Sequence, residues 1–170
     1  MSTKSRTTYT DGDITRSFKC LQDKFTFPYQ LKAEQVAPLK NILNGQHCLV
    51  VLPTGFGKTD IFTLPPLMMD ILEDEKQHFA IVIVPLLSLM FDMVVKYRVR
   101  GVEIVAITQA SKMTPDDLDG IKNGRYSIIL ISPELLLANR MWIDTFATSD
   151  VYRRNVILVA IDEAHLLIEW

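Results

Sequence analysis

Cys48-Leu49-Val50-Val51-Leu52-Pro53-Thr54-Gly55-Phe56-Gly57-Lys58-Thr59 joins a short apolar run to a loop with two glycines, a lysine and a threonine. The run has the composition of a buried strand, and a helix-compatible stretch follows Thr59. The glycines allow the backbone to curl so that successive N–H groups converge on a phosphate. The positive end of the following helix dipole adds to that field. In this arrangement Lys58 reaches the β- and γ-phosphates of a nucleotide, and the Thr59 hydroxyl holds Mg²⁺. Leu52 stands where the usual G-x-x-x-x-G-K-[ST] pattern has its first glycine.

Downstream, Val156-Ile157-Leu158-Val159-Ala160-Ile161 ends in Asp162-Glu163-Ala164-His165. A carboxylate at the end of a buried strand lies on the ligand edge of an open α/β sheet. Asp162 is placed to hold the nucleotide's Mg²⁺, directly or through water. Glu163 is placed to orient and deprotonate an attacking water. Four letters alone also suit a solvated helix start, where acids are favoured. The strand before them and the phosphate loop upstream make the pair far more specific than either part.

Outward from these motifs the chain alternates. Strand-like runs at 48–52, 79–84, 102–107, 127–131 and 156–161 are separated by helix-like stretches at 58–75, 86–99, 114–123 and 133–146. Pro65 and Pro66 are expected to kink or split the first of these helices. Two more helices are expected ahead of the loop, over 14–25 and 31–44, with Gly45 ending the second. Val/Ile-rich strands alternating with helices predict a parallel sheet buried on both faces, an α/β sandwich with ligands at the carboxyl ends of its strands. Residues 1–13 are rich in Ser, Thr and charge and read as a disordered lead-in, leaving 14–170 as one domain.

With 170 residues, 48% hydrophobic and 22% charged, the composition is that of a globular domain. A net charge of −2 gives no global basic field, so any nucleic-acid contact has to come from a local groove. Cys20 and Cys48 are far apart, which fits a reducing interior and argues against a disulfide framework or zinc site. No secretory signal or membrane-length apolar run is visible, so an intracellular protein is expected, nuclear if eukaryotic. Met68, Met69, Met90 and Met93 read as core filler. Lys96, Arg98 and Arg100 read as a solvated helix end, and His47 and His78 have no metal-site spacing.

Together, Thr54-Gly55-Phe56-Gly57-Lys58-Thr59 and Asp162-Glu163-Ala164-His165 resemble motifs I and II of superfamily 2 helicases, and most of all RecQ-type DNA helicases. Val84-Pro85-Leu86-Leu87-Ser88-Leu89-Met90 resembles motif Ia of that group, and Ile131-Ser132-Pro133-Glu134 its S-P-E element. Leu31-Lys32-Ala33-Glu34-Gln35 is similar to its F-R-x-x-Q motif, with Leu31 for phenylalanine and Lys32 for arginine. Trp170 follows Asp162 as the tryptophan of the group's aromatic-rich loop does. Phe56 replaces a common glycine, Tyr29 lies one residue nearer the glutamine than usual, and 166–169 is more apolar than usual.

The resemblance implies a RecA-like P-loop NTPase domain that uses ATP and Mg²⁺ to drive 3′ to 5′ movement along DNA and unwinding. It implies Gln35 as adenine reader, with Lys32 nearby and Tyr29 as candidate stacking aromatic. It implies contacts from Pro85, Ser88, Ser132, Glu134 and Trp170 to a single strand near a duplex junction. His165 would couple the two sites. Ser132 before Pro133 and Glu134 also suits a helix cap. The family continues with a second RecA-like domain carrying an arginine finger, and with a strand that inserts between the phosphate-loop strand and the 156–161 strand. The present residues therefore read as a truncated first domain with an unfilled slot in its sheet, inactive by itself. Two alternatives stand beside this: a non-catalytic nucleotide- or DNA-binding fragment that regulates a longer relative, and an RNA helicase of the same superfamily.

Overall fold

The computed structural model describes residues 7–74, 77–110 and 113–165. Four strands form one wholly parallel sheet: β1 (Phe79–Ile83), β2 (Ile104–Ile107), β3 (Ile128–Ile131) and β4 (Val156–Ile161), in the order β2-β3-β1-β4. Alternation along each strand divides the core in two. Ala80, Val82, Ile104, Ile128 and Leu130 enter one apolar cluster, and Phe79, Ile81, Val105, Ile107, Ile129 and Ile131 enter the other. Both faces are thus covered over β1, β2 and β3, as their apolar sequences require, while Val159 and Ile161 of β4 stay exposed.

The first face carries α1 (Asp11–Lys24), α2 (Ala33–Leu43), α3 (Lys58–Leu72) and α4 (Leu87–Arg98). The second is covered by α5 (Pro115–Lys122) and α7 (Arg140–Thr148), through Ile121, Trp142 and Phe146, with the short α6 (Pro133–Ala138) between them in the chain. The methionines at 68, 69, 90 and 93 are buried, as core filler should be. Register sets the ligand edge: Ile83 is opposite both Ile131 and Ile161, and Ile131 is opposite Ile107. The segments after β1, β3 and β4 therefore leave the sheet at one level.

The expected strand over 48–52 does not form. Residues 46–53 belong to no strand, and Leu49 and Val51 are 87% and 84% exposed. Its composition favours a strand, but a strand exists only through ladder bonds to a neighbour. β4 is bonded on one side, to β1, and its other side faces a groove of about 850 Å³ that 46–52 borders opposite. The groove lies beyond β4, at the edge of the four-stranded sheet.

Other boundaries also moved. α1 starts at Asp11, inside the segment read as disordered, because Thr10 and Asp13 form a reciprocal cap. Tyr9 is buried, its backbone bonded to the Asn44 side chain. α3 runs unbroken through Pro65 and Pro66, both buried. Two missing N–H donors are tolerated where packing against α1, α2 and the sheet holds the helix. The helix expected over 133–146 divides at Asn139, whose side chain caps α7 through the Met141 N–H. Trp170 and residues 166–169 lie outside the described residues. Among the described residues, no helix is long and apolar enough to cross a membrane, and no cluster of three or more His, Cys, Asp or Glu forms a metal site.

Candidate nucleotide and nucleic-acid site

The two glycines of the 53–59 loop take a left-handed backbone that glycine adopts freely. Gly55 and Gly57 have φ of +82° and +77°, and Gly57 is the N-cap of α3. A β-carbon on Gly57 would come within 2.3 Å of Gln35 Nε2. The loop is tied to the start of α2. The Gln35 amide donates to the Gly57 carbonyl at 3.0 Å, and its oxygen accepts from the Lys32 N–H at 2.8 Å. The Lys32 ammonium donates to the Gly55 carbonyl at 2.7 Å and sits over the Phe56 ring. Lys32, Gln35, Gly55, Phe56 and Gly57, singled out from the sequence, thus form one unit.

Lys58 opens α3 and, with Asp162 and Glu163, lines the end of the groove beside β4. The Asp162 N–H bonds to the Ile83 carbonyl, which fixes the chain as it leaves β4. Burial raises the Asp162 pKa and the neighbouring Glu163 charge adds to this, while the Glu163 N–H and the Lys58 charge oppose it. Glu163 has φ +50°, the left-handed region that a non-glycine residue enters at a cost. Its carboxylate lies 3.3 Å from His165 Nδ1. Thr54 is exposed and Thr59 half-buried at the two ends of the loop.

Pro85 and Ser88 follow β1, and Ser132 and Glu134 follow β3, so the shared register brings both pairs to the Asp162 edge. Ser88 is exposed in the first turn of α4 and Glu134 is half-buried. Ser132 is 3% exposed and makes no side-chain cap bond to α6, so the capping alternative is not realised. The half-buried Tyr29 ring packs against Phe18 and Phe27, with the Arg100 guanidinium 5.2 Å from its centroid. That guanidinium also covers Phe27 and Tyr97, so Arg100 is not the solvated helix end the sequence suggested. His78 is buried against Asp70, and His47 is exposed.

One set of residues was missed: Asp60, Thr63 and Tyr97. Asp60 is buried in α3 and accepts from the Tyr97 hydroxyl at 2.6 Å. An acid followed at once by Ile61-Phe62 and a long apolar run carried the signal, since a buried carboxylate needs a partner.

Against this geometry, the model of the DEAD/DEAH box helicase family matches residues 32–170. The chain belongs to that family. Among curated relatives, it is 32% identical over 152 residues to the ATP-dependent DNA helicase RecQ of Haemophilus influenzae, covering 86% of this chain and 22% of that protein. It is 35% identical to the RecQ helicase of Bacillus subtilis, over 74% of this chain and 19% of the relative. It is 33% identical to the mouse bifunctional 3′-5′ exonuclease/ATP-dependent helicase WRN, over 72% of this chain and 8% of the relative. The resemblance to RecQ-type helicases thus holds, and the aligned part of this chain spans about a fifth or less of these relatives' length. In fold, the chain is similar to the DUF1998 helicase MrfA, solved bound to DNA and AMPPNP, with TM-score 0.63 at 21% identity, over 91% of this chain and 21% of the other.

Proposed function

We propose that residues 9–170 are the ATP-binding part of the first RecA-like motor domain of a RecQ-like 3′-5′ DNA helicase. The observation that carries this reading is the meeting of Lys58, Asp162 and Glu163 at one end of the groove, on the edge where the strands end. The residues fit the cofactor. Gly55 and Gly57 hold positive φ, the backbone conformation that lets successive N–H groups of such a loop turn toward a phosphate. A threonine hydroxyl and a carboxylate are the hard oxygen donors that Mg²⁺ prefers.

In this reading Thr54 to Thr59 cradle the phosphates of ATP, and Lys58 neutralises their charge. Thr59 and Asp162 hold Mg²⁺, and Glu163 takes the proton of the attacking water. Gln35, with Lys32 and Tyr29 beside it, forms the base end. Pro85, Ser88, Ser132, Glu134 and Trp170 serve the DNA strand, chiefly at its phosphates. His165, paired with Glu163, links the two ligands. Turnover and unwinding then require a second RecA-like domain to close on this one.

The test is a calorimetric titration of Mg-ATP into the chain and into Lys58→Ala. Loss of measurable binding in the variant is the expected result. Equal affinity in the two proteins overturns the reading.

A further inference from the structure

A carboxylate buried at the first turn of α3 has to be matched by donors, and the structure supplies them from two distant places. Asp60 is 6% exposed. One of its oxygens accepts from the hydroxyl of Tyr97, a fully buried residue near the end of α4, at 2.6 Å. The Thr63 hydroxyl lies 2.8 Å from the same phenol oxygen and 2.9 Å from the Thr59 carbonyl. The other Asp60 oxygen lies 3.4 Å from Gln35 Nε2. The Gly57 carbonyl, which takes a Gln35 N–H, is shared with the Asp60 backbone N–H at 3.1 Å.

A carboxamide has two ends of opposite hydrogen-bonding sense, and its use as a reader depends on which end faces the ligand. Here both N–H groups of Gln35 have acceptors, Gly57 and Asp60, while the oxygen has one donor, the Lys32 N–H. The remaining capacity is a lone pair on Oε1 of a residue that is 1% exposed. A fixed acceptor favours a purine with an amino group at position 6 and opposes one with an oxygen there. The Lys32 N–H and the Gly57 carbonyl, the latter shared with a helix N–H, hold the amide from its two ends. The Asp60 charge strengthens that hold, since bonds to ionised acceptors are the stronger ones.

We propose that Asp60, anchored by Tyr97, is a positioning residue for base selection: it locks the Gln35 carboxamide in the orientation that accepts from a 6-aminopurine nucleotide and rejects a 6-oxopurine one. This rests on the reading of Gln35 as the base-contacting residue.

The experiment compares Kd for ATP and ITP, which differ at position 6 of the base, by calorimetry with the 170-residue chain. Inorganic tripolyphosphate serves as a probe of the phosphate loop alone. Wild type prefers ATP by on the order of tenfold, and Gln35→Ala removes the preference. Asp60→Leu lowers the ratio to near one while leaving tripolyphosphate affinity unchanged. Asp60→Asn, which still offers an oxygen to Gln35, restores most of it. Tyr97→Phe, which keeps the ring and removes the donor, lowers the ratio about threefold, and reports even where Asp60→Leu fails to fold. A ratio that stays at the wild-type value in Asp60→Leu and Tyr97→Phe, while Gln35→Ala abolishes it, overturns the proposal. So does an equal loss of ATP and ITP affinity in Asp60→Leu. A chain that binds ATP with no dependence on Gln35 overturns the role of Gln35 and this inference but leaves the phosphate loop standing. A chain that binds neither nucleotide overturns the nucleotide site itself.

Discussion

The Lys32 ammonium donates to the Gly55 carbonyl at 2.7 Å and lies 4.6 Å from the centre of the Phe56 ring, so one side chain clips the apex of the phosphate loop to the segment ahead of α2. The clip is exposed, and cation–π contacts of this kind contribute about 0.5–1 kcal/mol. Its value is in holding the loop's shape before a ligand arrives. Lys32→Ala should therefore weaken ATP binding about three- to fivefold with little change in melting temperature. Fluorescence titration with a labelled ATP, beside a thermal melt, checks both halves.

The two loop glycines should respond unequally to alanine. At Gly55 an added β-carbon meets nothing within 4 Å, so Gly55→Ala carries only the left-handed backbone cost of about 1–2 kcal/mol. At Gly57 the same carbon meets Gln35 at 2.3 Å, and overpacking raises the loss to about 2–4 kcal/mol. Urea denaturation of the two variants should show Gly57→Ala as clearly the less stable.

Asp162 predicts a pH signature. Its folded pKa is raised, chiefly by burial, so the folded state holds the proton more tightly than the unfolded chain. The associated stability is present in acid, below the ordinary carboxylate value, and is lost as pH rises through the raised one. Asp162→Asn escapes that loss. Its melting temperature should exceed wild type at pH 7, with the gap closing toward pH 3.5. Adding Mg-ATP at pH 7 should then stabilise wild type more than the variant, because the variant lacks the carboxylate proposed to hold the metal. Thermal melts across pH, with and without Mg-ATP, read both effects.

The outer edge of β4 is apolar and open: Val159 is 61% exposed and Ile161 48%. Such an edge templates association with other strands, and an inward charge blocks it. The chain should self-associate with rising concentration, and Val159→Lys should shift it toward monomer without lowering its melting temperature by more than a few degrees. Sedimentation velocity over a hundredfold concentration range decides this.

Most of the sheet was legible because its signal is local. β4 begins and ends where its apolar run does, and the parallel arrangement follows from strands apolar on both faces. The 48–52 segment has the same composition and failed as a strand, because composition describes the segment and pairing depends on its neighbour. Pro65 and Pro66 misled for a related reason, since burial of α3 outweighed two lost bonds. In the site, the phosphate loop and the Asp162-Glu163 pair could be read as short motifs. The Asp60–Tyr97 contact joins residues 37 apart with no periodic pattern between them, and only the packing of α4 against α3 brings it into view.

The groove beside β4 also divides the molecule by how its amides meet solvent. Backbone groups in β1 and β3 are bonded on both sides and lie under two helical layers, so their hydrogens should exchange only when the whole domain opens. Residues 47–52 belong to no strand, and their amide hydrogens should exchange within seconds under native conditions. The segment that delivers the phosphate loop is thus the first to yield and the cheapest to reorder. Ligand binding at the loop can tighten or loosen it while the protected centre of the sheet keeps its slow exchange.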